Sequence, residues 1–125
     1  MDKVVHFEIP AVNVKRAEAF YTKVFGWKIT PVPGMNYSHA TTVPVGKDRM
    51  PKEAGAINGG LFKKDKTGLY PVIVIDVRSI DMYITKIKEA KGKVVMPKIA
   101  AGDMGFYARI KDTEGNIIGI WEDKK

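Results

Sequence analysis

A chain of 125 residues, 45% of them hydrophobic, suits one domain with a core of ordinary size and leaves no room for a second independent one. Cysteine is absent, which excludes disulfides, thiolate nucleophiles and cysteine-held zinc or iron–sulfur centres, so any metal would have to be bound by His, Asp, Glu or water. The net charge of +7 is spread along the chain in runs no longer than pairs, such as Lys15-Arg16 and Lys63-Lys64; that is a solvated surface suited to an anionic small ligand rather than a nucleic-acid footprint.

The N-terminus opens Met1-Asp2-Lys3 without a charged-then-apolar leader pattern, and no apolar run approaches the roughly 18 residues of a membrane span. A cytoplasmic protein with no membrane partner is expected. Val4 to Pro10 alternates, with Val5, Phe7 and Ile9 on one face and Val4, His6 and Glu8 on the other, as a strand with one apolar and one partly polar side does. Asn13 is a candidate helix cap. After it Ala17, Phe20, Tyr21, Val24 and Phe25 recur at helical spacing until Gly26, which predicts an amphipathic helix with a glycine stop. Strands are predicted at Trp27 to Val32, Tyr37 to Val43 and Gly59 to Phe62, with a loop from Val45 to Gly55 that contains Pro51 and several charges.

The same order then returns. Val72 to Val77 reads as a buried strand, Ser79 as a cap, Ile80, Tyr83, Ile84 and Ile87 as a helix stripe and Gly92 as its stop. Strands are predicted at Val94 to Met96, Gly105 to Ile110 and Ile117 to Trp121. A shift of 66 residues carries Val14 onto Ile80, Gly26 onto Gly92, Ile29 onto Val95 and Pro31 onto Pro97. The chain therefore reads as an internal duplication: one α+β domain over residues 1–125, made of two tandem βαβββ modules, about 1–65 and 66–125. Neither half has enough helix to cover both faces of a sheet, so the expected arrangement is a half-open barrel with a central cleft.

His6-Phe7-Glu8-Ile9-Pro10, Asn13, Arg16-Ala17, Ala19-Phe20-Tyr21 and Val24-Phe25-Gly26-Trp27 resemble the first module of the vicinal-oxygen-chelate superfamily, which includes glyoxalases, bleomycin-resistance proteins and dioxygenases. Asp112-Thr113-Glu114-Gly115-Asn116-Ile117-Ile118-Gly119 is similar to the family's final hairpin. The resemblance implies a homodimer, and a divalent metal held by His or Gln, His and Glu. Position by position, His6 matches the first ligand and is the only match. The second falls on Val72 and the third on Gly119, neither of which carries a donor. Glu122 is no substitute, because residues 117, 119 and 121 share one strand face while 118, 120 and 122 share the other.

The departures resemble a branch of the superfamily that keeps the fold without the metal triad. The expected function is therefore binding of a small molecule in the cleft with no metal or other cofactor, lined by His6, Glu8, Tyr37, His39, Asn58 and Trp121. The alternative is a metal-dependent lyase, isomerase or dioxygenase using His6 with substitute ligands, His39 and then Glu8 or Asp103 being the nearest candidates. A third reading is an interaction module whose cleft is filled by its own side chains. His6 and Glu8 stand about 7 Å apart along one strand face, where a carboxylate raises an imidazole's pKa and makes an acid/base pair conceivable. A hydrogen-bonded His without catalytic work is the alternative.

Overall fold

The computed structural model describes all residues, 1–125. The chain is α+β and alternates as the duplication predicts: β1 (Val4–Ala11), α1 (Val14–Phe25), β2 (Lys28–Pro31), β3 (Tyr37–Thr41) and β4 (Asn58–Lys63), then β5 (Val72–Asp76), α2 (Ile80–Glu89), β6 (Lys93–Ala101), β7 (Gly105–Lys111) and β8 (Ile117–Asp123). Two compact units result, His6–Pro71 and Val72–Lys125, the latter joined by Met1–Val5. No helix is long and apolar enough to cross a membrane.

In the unit His6–Pro71 the strand order is β2-β3-β4-β1. β1 and β4 run parallel, with Phe7 opposite Gly59 and Glu8 opposite Gly60, while β3 runs antiparallel to β4 and places His39 opposite Gly60. Ala40, Val43, Leu61 and Phe62 are the buried apolar side chains here, and a Leu fully withdrawn from water contributes about 1.5–3 kcal/mol.

Asn13 caps α1 as expected, its Oδ1 accepting the Arg16 N–H at 3.0 Å, and Gly26 ends the helix at φ 71° with its N–H on Thr22 O. That left-handed conformation is open to glycine at little cost. Ser38, fully buried on β3, donates its hydroxyl to the Glu18 carboxylate and so ties the helix to the sheet. The helix stripe packs less completely than its spacing predicts. Ala17 and Tyr21 are half-buried, but Phe20, Val24 and Phe25 are exposed. The half-buried positions are Val14, Ala17, Glu18 and Tyr21, and Phe20 and Val24 lie to one side of them on a 100° helical wheel. Tyr21 instead stacks on Trp27 at 4.8 Å, and Trp27 meets Phe7 at 5.4 Å.

The second unit repeats the plan in the order β5-β8-β7-β6. α2 packs its apolar side on Val77, Ala108, Ile110 and Ile120, with Ile80 fully buried. Ser79 accepts the Met82 N–H as the predicted cap. The stop differs from expectation: Lys91 takes the left-handed φ of 75°, and Gly92 follows it. Gly92 is required for closeness instead, since a Cβ there would stand 2.7 Å from Ile87 Cγ2 and 3.0 Å from Lys111 O. β6 is longer than predicted because register shifts between Val94 and Met96 and between Met96 and Ile99 let the strand continue through Pro97, which has no N–H to give a ladder.

The first residues are held to this unit by Asp76 N–H on Lys3 O at 2.9 Å and by Tyr83 Oη on Asp2 at 2.7 Å. Burial, then the charges of Asp123 and Asp2, push the Asp76 carboxyl pKa above its ordinary value of 3.8, against a pull downward from Lys3. A carboxyl whose pKa is raised by folding binds more protons folded than unfolded, so stability falls as pH rises through the interval between the two values. Asp76→Asn is therefore expected to raise the melting temperature at pH 7, and the gain is expected to vanish below pH 3.8; thermal unfolding followed across that range measures it.

Candidate functional site

The polar side of the first unit's sheet faces away from α1. On β1 it carries His6 and Glu8, on β4 Asn58 and Gly60, and on β3 Tyr37 and His39, as the alternation and the register require. Tyr37 is paired with Phe62 in the ladder, yet its ring leans diagonally across β4 and its Oη lies 2.9 Å from His6 Nε2 on β1. Gly60 makes the crossing possible: a Cβ there would stand 2.0 Å from the phenol oxygen. His39 meets the Tyr37 ring edge-on, with centroids 5.7 Å apart. His6, Tyr37 and His39 are thus brought together, and Glu8 is buried beside them on the same strand face as His6.

Burial pushes the His6 pKa below 6.5; Glu8 pulls it upward and His39 adds a downward contribution. The carboxylate effect expected from the sequence is present, but desolvation outweighs it. The imidazole is accordingly neutral at pH 7. In the tautomer that carries its ring proton on Nδ1, His6 Nε2 accepts from the Tyr37 hydroxyl. A His held neutral by the fold binds fewer protons folded than unfolded below pH 6.5. The associated stability is present above that pH, declines as pH falls beneath it, and is gone below the folded pKa. Urea denaturation at pH 8 and pH 5 is expected to show this loss, and His6→Gln to remove the part that belongs to His6.

Asn58 lies next to His6 in the register, but its amide is engaged by the backbone of the following loop. Its Oδ1 accepts the N–H groups of Thr42 at 2.7 Å and Val43 at 2.9 Å, and its Nδ2 donates to Val43 O at 3.0 Å. It fixes the exit of β3.

Trp121 belongs to the second unit. Gly119 and Trp121 share a face with Tyr107 and Arg109, while Ile118 and Ile120 pack against the α2 cluster, as the alternation predicts. Trp121 covers Gly105 and donates from Nε1 to Asp123 at 2.6 Å. Glu122 lies on the helix side, where its Oε1 accepts the Ile80 N–H at 2.7 Å and stands 3.9 Å from Lys98 Nζ. It serves the N-terminus of α2, where a carboxylate satisfies an open backbone donor and the helix dipole favours it.

Residues that the sequence reading missed repeat the first unit's device. Tyr107 lies over Gly119, where a Cβ would stand 2.7 Å from its phenol oxygen. That oxygen accepts from Arg109 Nε at 3.0 Å, and Arg109 is buried. Tyr37-Ser38-His39 over Gly60 and Tyr107-Ala108-Arg109 over Gly119 are one arrangement used twice.

The metal implied by the resemblance does not fit these residues. His6 Nε2 is bonded to Tyr37, Val72 is a buried alkyl side chain, and at Gly119 a carboxylate would have to displace Tyr107. Nowhere do three His, Asp or Glu side chains gather as a metal site requires, and this includes the combination of His6 and His39 with Glu8 or Asp103.

A sequence of strand, helix and three strands, run twice, defines the vicinal-oxygen-chelate fold. Comparison with known proteins agrees. A family model for the N-terminal part of bleomycin resistance protein-like proteins matches residues 3–42. No curated protein sequence matches the chain. Among solved structures, a hypothetical protein from Bacillus halodurans C-125 is 17% identical with a TM-score of 0.65, over 99% of this chain and 96% of that one. A glyoxalase/bleomycin resistance protein/dioxygenase superfamily member from Vibrio splendidus 12B01 is 14% identical with a TM-score of 0.64, over 99% and 100%. Methylmalonyl-CoA epimerase from Mycobacterium tuberculosis is 13% identical with a TM-score of 0.61, over 97% and 87%. The chain has the fold of the vicinal-oxygen-chelate superfamily, and its residues 3–42 match the bleomycin resistance protein-like model.

Proposed function

We propose that this protein binds a small molecule on the polar sheet face of its first unit, with His6, Tyr37 and His39 as the groups that meet the ligand and without a resident metal. The observation that carries the reading is the reach of Tyr37 over Gly60 to His6. Three strands cooperate to hold a phenol and a neutral imidazole on one surface, beside a second imidazole. Such a set offers directional hydrogen bonds and aromatic contact, the means by which small-molecule sites fix orientation. The surplus of Lys and Arg over Asp and Glu, 21 against 14, favours an anionic ligand by long-range attraction. Glu8 sits beneath these groups, and Asn58 supports them through the loop. Trp121 offers a flat aromatic surface in the second unit.

The superfamily resemblance supports a homodimer, checked by sedimentation equilibrium; a cytoplasmic location is part of the same proposal. Structural neighbours include methylmalonyl-CoA epimerases and a Mn(II)-bound glyoxalase from Novosphingobium aromaticivorans, but at 13% and 15% identity these share the fold and lend no activity.

The test has two parts. Metal content of the purified protein is measured for wild type and His6→Ala; stoichiometric metal that disappears in the variant overturns the metal-free reading. A panel of small carboxylates, phosphates and neutral aromatics is then screened by amide NMR. Shifts clustered on residues 6–8, 37–39 and 58–60 and weakened by Tyr37→Phe are the expected result. A panel that moves none of these amides sinks the reading.

A further inference from the structure

The contact between Tyr37 and His6 is more specific than ligand binding requires. A phenol that only had to meet a ligand could stand upright from β3. Here it is laid across a neighbouring strand, over the one residue that leaves room for it, with its oxygen 2.9 Å from an imidazole nitrogen two strands away. His39 braces the ring from its own strand, and both Tyr37 and His6 are only half-buried, so a reagent can reach them.

The imidazole has the right protonation state for such a pair. Burial keeps it neutral at pH 7, which leaves one nitrogen able to accept a proton, and in the Nδ1–H tautomer that nitrogen is Nε2, 2.9 Å from the phenol oxygen. Proton acceptance within hydrogen-bond reach is the geometric condition for general-base assistance.

We infer that Tyr37 and His6 form a proton-transfer pair, in which the Tyr37 oxygen exchanges a proton with the bound molecule and His6 Nε2 takes or returns it. The inference rests on the binding reading given above and assigns that site a chemical capability. It requires no metal and no redox partner.

The pair can be tested without knowing the ligand, using phenylmethanesulfonyl fluoride. The Tyr37 oxygen attacks sulfur, an O–S bond forms, the S–F bond breaks and fluoride leaves. The phenol proton passes to His6 Nε2 and from there to solvent, with no change of oxidation state. Peptide mapping by mass spectrometry compares the five tyrosines.

Tyr37 is expected to be modified about tenfold or more faster than Tyr70, a conservative share of what positioned bases supply, although Tyr70 is far more exposed at 77%. The rate is expected to fall with the protonation of His6 measured by NMR. In His6→Gln, whose amide can hydrogen-bond the phenol but cannot take its proton, the advantage is expected to disappear. Should that variant not fold, Gly60→Ala asks the same question by moving the phenol. Modification of Tyr37 no faster than Tyr70, or an undiminished rate in His6→Gln, overturns the proton-transfer pair. A negative result here leaves the NMR screen intact, so the two readings fail separately.

Discussion

Gly59→Ala is expected to cost about 3 kcal/mol of stability, the upper end of what overpacking a tight contact costs, and to lower the melting temperature by about 10 °C. The reason is the partner it would meet. A Cβ at residue 59 would stand 2.4 Å from the carbonyl oxygen of Phe7 and 2.4 Å from its ring carbon Cδ2. A side chain can turn aside, but the carbonyl belongs to β1, which is locked to β4 from His6 opposite Asn58 to Ala11 opposite Lys63. Relief requires drawing the two parallel strands apart. Urea denaturation of the variant measures the loss, and stability within 0.5 kcal/mol of wild type, the ordinary range for surface changes (about 0.5), would show that the strands have slack.

One residue along, Gly60→Ala is expected to leave the fold standing and damage the site. Its Cβ would meet only the far end of a side chain, at 2.0 Å from Tyr37 Oη and 2.2 Å from Cζ. The phenol can swing away, at a stability loss of about 1 kcal/mol. It can no longer reach His6. The imidazole then gains water, and its pKa is expected to rise toward 6.5, as measured by NMR titration. Affinity for any ligand found by the screen is expected to drop about tenfold, the equivalent of one hydrogen bond of about 1.4 kcal/mol. Two neighbouring glycines thus separate architecture from function, because one faces a backbone and the other a movable ring.

Much of the fold could be read directly because its signals are local. Asn13 and Ser79 precede helical stripes, and both act as caps. Alternation in Ile117 to Glu122 correctly sent Glu122 to the helix side. The boundary at Lys91 and Gly92 was misread because a left-handed residue is ordinarily glycine, whereas here the chain places Lys91 in that conformation so that Gly92 can pass close to Ile87 and Lys111.

The site was legible only as a set of residues sharing a strand face. Its key contact joins β3 to β1 across β4, and nothing in the spacing of residues 6, 37 and 60 announces that. The twin arrangement of Tyr107, Arg109 and Gly119 was hidden by loop length. Residues 42–57 connect β3 to β4, but only residues 112–116 connect β7 to β8. A constant shift of 66 therefore aligns the helices and misaligns the last strands. Asn58 was picked for its polarity and position, while its hydrogen bonds to Thr42 and Val43 depend on a loop path that no periodicity encodes.

The interruptions in β6 bear on how the protein behaves at high concentration. β2 and β6 each stand at the end of their unit's strand order, where unpaired backbone groups invite a strand from another molecule. β2 is four residues long and finishes on Pro31; β6 has two breaks in register and carries Pro97 within the second. An incoming strand would find no continuous row of donors and acceptors along either one. The same irregularities that made β6 hard to delimit work against growth into fibres through these two strands.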